Sequence, residues 1–260
     1  MSETQAISQN LLFLHQAEEE LRSKSLLLVE HNPDLAHHLA IIESAMNLLD
    51  GFVRLQVEAD DDGRAVQHLG IRMFNGFAAA WKLTASGYYQ KAAMIQRDQV
   101  ETINLINYFH NEPERIAEWR VADRKTLISE FGPSSIRKAL DAKSGLGKSK
   151  REEIYQKFSA LAGHPTKVGF GMLRPTGMDA TIGPFTDLIA LRGLLEEAAQ
   201  LAVQAGYAFL MFVHIESPEG NANARYFLLA AMSWSAKYFG MPYSDSDRAE
   251  IEHMFRDQSP

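Results

Sequence analysis

The chain has no cysteine, which removes disulfide staples, thiolate metal sites and cysteine nucleophiles at a stroke and fits a reducing cytoplasm. It has no long hydrophobic run. The longest, "YAFLMFVHI" near residues 207 to 215, is far short of the roughly 20 residues of a membrane helix, so no membrane association is expected. Basic residues are in the minority, 26 Lys and Arg against 33 Asp and Glu, and the formal net charge of -7 excludes bulk electrostatic coating of nucleic acid while leaving room for a local basic patch. The first twenty residues carry acids and no basic n-region, so no secretion signal is read there. Neither a G-x-S-x-G elbow nor a dinucleotide-binding glycine fingerprint occurs.

What is present is helical spacing. Apolar residues recur at three- and four-residue intervals along nearly every long segment, so the expected fold is all-α: a multi-helix bundle of long antiparallel helices. One domain is expected over 1–260, with a possible subdivision near 123–150. The first helix is placed over Ala6 to Glu30. Asn32 and Pro33 then restart the chain as cap and first helical residue. A third helix, Arg64 to Ser86, stops at Gly87, and the next follows at once, giving a tight antiparallel hairpin. Pro113 ends that fourth helix. Between Gly163 and Pro184 lie five of the 17 glycines and three of the nine prolines, a long punctuated loop; two long helices, Phe185 to His214 and Glu219 to Phe239, follow it.

The fourth helix carries the most informative pattern. On a wheel with Arg97 at zero, Gln90, Glu101, Asn104, Tyr108 and Asn111 fall within roughly 40° of it. Gln96, Gln99 and His110 lie opposite. Two polar faces on one helix imply that one meets solvent and the other an interior or a cleft. The Arg97-centred face, built of directional hydrogen-bonders, is assigned inward. On the preceding helix His68, Arg72, Asn75, Gly76, Ala79 and Ser86 share a side, so Arg72 is expected to join the cluster, with Glu101 neutralising one arginine. Such a seam serves either as a structural polar network or as a phosphate-holding site, for which the guanidinium fork is suited.

His164 sits at a helix exit in "FSALAGHP", before a rigid proline and the long loop, a position from which imidazole can face a cleft and move protons, or simply meet the negative helix end. "AKSGLGKS", 142–149, matches a relaxed phosphate-loop pattern, but amphipathic helix precedes it where that mechanism requires a strand, so it is read as a basic loop. His31, His37 and His38 lack metalloprotease spacing, and neither metal nor cofactor is expected.

The stretches "SGYYQKAAMIQRDQVETINLINYF" and "YQKFSALAGHP" resemble a bacterial all-helical family allied to the HEPN superfamily. That resemblance implies a helical bundle, often a homodimer, from toxin–antitoxin or phage-defence systems, with an antitoxin or defence protein as partner. Active members cut RNA without metal through an arginine followed, after four to six residues, by a histidine. His164 matches the histidine; the nearest basic residue to the arginine position is Lys157, with six residues intervening, and Arg97 is expected to supply the guanidinium from the companion helix. Arg97, Glu101 and His164 are thus the candidate catalytic group, with Arg72, Asn104, Tyr108 and Lys157 binding. Two other readings stand beside it. One is a non-catalytic helical interaction scaffold. The other is a small-ligand pocket between helices, lidded by 163–184.

Overall fold

A computed structural model describes residues 7–58, 60–144, 150–213 and 218–256. Among them are eleven α-helices and no strand. The first four are α1 (Gln9–Glu30), α2 (Pro33–Leu55), α3 (Asp61–Ala85) and α4 (Tyr89–Asn111); α5 (Arg115–Val121), α6 (Arg124–Ser129) and α7 (Pro133–Ser144) are shorter. After α8 (Lys150–Phe158) the chain forms a π turn, Ser159–Gly163, and later a 3-10 turn, Gly169–Leu173, before α9 (Leu188–Leu210), α10 (Pro218–Phe239) and α11 (Asp245–Arg256). The phosphate-loop-like segment falls largely on 145–149, outside the described residues.

Local chemistry sets the helix boundaries. Asn32 Oδ1 accepts from the amides of Asp34 and Leu35, with Pro33 at the first helical position, so α2 begins where its orphan N–H groups find an acceptor. The α3–α4 hairpin closes through Tyr88 N–H to Leu83 O (2.8 Å) and Gly87 N–H to Thr84 O (3.1 Å), the paired bonds of a Schellman ending. Gly87 is required there twice over. Its φ is +83°, and a Cβ would stand 2.3 Å from the Phe185 carbonyl oxygen, so any other residue would strain the turn and push off the chain leading into α9.

Helices α2, α3, α4, α9 and α10 pack around a core in which Phe52, Phe77, Tyr89, Phe109, Phe209 and Phe227 are buried. Gly206 admits the Phe227 ring, which would lie 2.0 Å from a Cβ there. Helix α4 is the hub: α3 and α9 cover one side, while α7, α8, the π turn and the 3-10 turn cover the other. Both of its polar faces are largely covered, opening to water at the C-terminal end, where His110 and Asn111 are exposed. The Gln96–Gln99 face is the more deeply buried of the two, with Gln96 Nε2 donating to Leu194 O at 2.8 Å. Gln99 is 1% exposed and neither end of its amide has a partner. No described helix is long and apolar enough to cross a membrane.

Candidate functional site

The Arg97 face of α4 meets α8 and the π turn. Tyr155 and Ser159, four residues apart, project from one side of that helix. Arg97 Nε donates to Ser159 Oγ at 3.0 Å, its Nη2 donates to the Tyr155 hydroxyl, and the same nitrogen pairs with Glu101 Oε1 at 3.1 Å. The guanidinium carbon lies 4.7 Å from the Tyr155 ring centroid, and that of Arg137, from α7, lies 3.9 Å from the same centroid. Arg137 is only 5% exposed; Glu152 accepts from its Nε at 2.8 Å, while its Nη1 is buried without a partner. Two cations, two carboxylates and a phenol are therefore gathered in a half-buried pack. Burial, more than neighbouring Asp98, raises the Glu101 carboxyl above its ordinary range, against the pull of the Arg97 guanidinium and a hydrogen bond from Tyr155.

The π turn brings His164 to this cluster. His164 N–H bonds to Ser159 O, five residues back, at 3.2 Å, which closes a wider turn than an α-helix allows. A Cβ on Gly163 would lie 3.3 Å from both Cδ and Nε of Arg97. Adding one bond and one Cα step bounds the distance from Arg97 Nε to the His164 Cα at roughly 9 Å. The histidine itself is exposed. An arginine held at three points and the backbone of an exposed histidine thus lie close together.

The remaining expected site residues are distributed differently. Arg72 does not reach Arg97 or Glu101; it pairs with Asp98 at the surface, while His68 and Asn75 face solvent. The reason lies in α3, whose Leu69–Met73–Phe77 stripe sets the packing face and turns Gly76 towards Gln99, 3.3 Å from a Cβ, half a turn of α4 away from Arg97. Lys157 points to α9, where it pairs with Glu197. Tyr108 receives a hydrogen bond from Arg115 Nε at 3.0 Å. Asn104 is buried and lines a cleft of about 360 Å³ with the Arg72–Asp98 pair, Glu101, Trp119 and Phe131. Gln90 Nε2 donates to Gly169 O at 3.0 Å, tying the seam to the segment after His164.

Three contributors escaped the sequence pattern: Tyr155, Ser159 and Arg137. The i,i+4 spacing of Tyr155 and Ser159 was visible, but nothing local said which face of α8 they occupied. His37 and His38 belong to a structural cluster, in which Trp234 Nε1 donates to His38 Nδ1 at 3.0 Å. Among the described residues no group of His, Asp and Glu is arranged to hold a metal ion. Compared with protein-family models, with curated proteins and with solved structures, the chain matches none.

Proposed function

We propose that the chain is an HEPN-like RNA-acting protein, with a metal-independent cleavage site at Arg97 and His164. The observation that supports it is the packing of the Arg97 side chain against Gly163, the residue that immediately precedes His164. Arg97 Nε and Nη2 are committed to Ser159, Tyr155 and Glu101, leaving the Nη1 edge for a phosphate oxygen. His164 takes the proton of a ribose 2′-hydroxyl as O2′ attacks the adjacent phosphorus. The P–O5′ bond breaks, a proton returns to O5′, and the products are a 2′,3′-cyclic phosphate and a 5′-hydroxyl. Glu101, Tyr155 and Ser159 position the guanidinium.

The setting would be bacterial defence or a toxin–antitoxin pair, within the cytoplasm and with a protein partner. Homodimerisation has a candidate surface in α1, where Leu11, Leu12, Phe13 and Leu14 stand exposed in succession. The test is cleavage of mixed-sequence RNA in the presence of EDTA, with end-group analysis. Wild type should release cyclic-phosphate ends, and both His164→Ala and Arg97→Lys should lower the rate at least a hundredfold. Equal cleavage by wild type and His164→Ala, or none by wild type, sinks the proposal.

A further inference from the structure

On the far side of α8 from Arg97, a second cleft of about 300 Å³ opens between α4, α8 with its π turn, the 3-10 turn and α9. Its floor is apolar, formed by Phe158, Leu161, Met172 and Leu194, and its rim carries Lys157, Arg174, Asp187 and Glu197. The two carboxylates are already occupied. Glu197 pairs with Lys157, and Asp187 accepts from the amides of Thr176 (2.6 Å) and Ala190 (2.9 Å) as the cap of α9. Arg174 is the exception on this rim: its backbone N–H bonds to Gly171 O at 3.3 Å, while its exposed guanidinium has no hydrogen bond or ion pair with any described residue. No Asp or Glu occurs between Tyr155 and Met178, so the segment that forms this wall is basic throughout.

Gly193 gives a second, independent sign of vacancy. It sits inside α9 and lines the cleft, yet a Cβ there would meet nothing within 4 Å. Glycine weakens a helix interior, and here no crowding or positive φ calls for it. The volume lies at the small end of the range for ligand sites, and an apolar floor with one free charge on the rim is the usual composition of such sites.

We propose that this cleft binds a small amphipathic anion, its apolar body on Phe158, Leu161 and Leu194 and its carboxylate or phosphate head on Arg174. The site does not depend on RNA cleavage. It shares the π turn with the Arg97 cluster, because Leu161 lines the cleft while Ser159 holds the arginine, so an occupant bears directly on the turn that presents His164.

Isothermal titration of the full chain with sodium octanoate, octyl phosphate, octylammonium and inorganic phosphate tests this without reference to any activity. At least one octyl anion should bind one-to-one, the tighter of the two naming the head group, with octylammonium and inorganic phosphate at least tenfold weaker. Arg174→Gln, an exposed change, should weaken the anion at least tenfold. Gly193→Leu should abolish binding while its melting midpoint stays at or above that of wild type, since leucine fills open space and favours helix. Failure of both octyl anions to bind wild type, equal binding of octylammonium, or unchanged affinity in Arg174→Gln overturns the proposal.

Discussion

Replacing Arg97 separates a strut from a reagent, because the structure fixes how much stability the side chain should carry. The Arg97 and Glu101 side chains are 26% and 28% exposed, so their ion pair lies between exposed pairs, worth about 0.2–1 kcal/mol, and buried ones, whose breakage costs about 3–5 kcal/mol. A value of about 2 kcal/mol is reasonable for the pair. The hydrogen bonds to Ser159 and Tyr155 add about 1 kcal/mol each. Arg97→Ala should therefore lower the unfolding free energy by about 4 kcal/mol at pH 7. Arg97→Lys keeps the attraction to Glu101 and loses the fork, for about 2 kcal/mol. Much of the alanine penalty is the stranded Glu101 carboxylate, whose proton affinity burial already raises. Adding Glu101→Gln to Arg97→Ala should then recover about 1–2 kcal/mol, a coupling measurable by urea denaturation provided the m-value is constant. A loss below about 1 kcal/mol for Arg97→Ala, with no recovery in the double variant, would refute this account of the cluster.

Two further predictions concern stability alone. Gln99→Met removes an unpartnered buried amide at similar volume and should raise stability by about 1–2 kcal/mol; a lower urea midpoint would mean that the amide has a partner in solution. Burial lowers His38 from 6.5 to about 4, so the folded state binds fewer protons than the unfolded chain between those values, and stability rises with pH across that window and falls as pH drops through it. The contribution is about 3 kcal/mol. His38→Gln should flatten that part of the pH–stability curve, and an unchanged slope would place its origin elsewhere.

Much of the fold was written in short-range signals. Asn32 and Pro33 announced the start of α2, Gly87 the α3–α4 turn, and the apolar periodicity the all-helical architecture. The polar seam of α4 was also legible as a seam. Its partner was not. The small residues beside Arg72 pointed to α3, yet the Leu69–Met73–Phe77 stripe governs that packing, and Arg97 finds Tyr155 58 positions further along. Nor could a wheel anticipate that both polar faces of α4 are largely covered, since that depends on α3 and α9 closing over one side while α8 closes over the other. The π turn was equally invisible: "FSALAG" reads as ordinary helix, and the extra residue per turn is accommodated through contacts with Arg97 and with the Gly169 segment.

That extra residue has a consequence for how the chain tolerates a change of length. Five residues of a π turn, at about 4.4 per turn, sweep nearly the same angle as four α residues at 3.6 per turn, so deleting one position between Ser159 and Gly163 would return an ordinary α turn without redirecting the helices that follow. The bundle can thus gain or lose one residue at this point and keep its course, and the contacts of Ser159 and Gly163 with Arg97 favour the longer form.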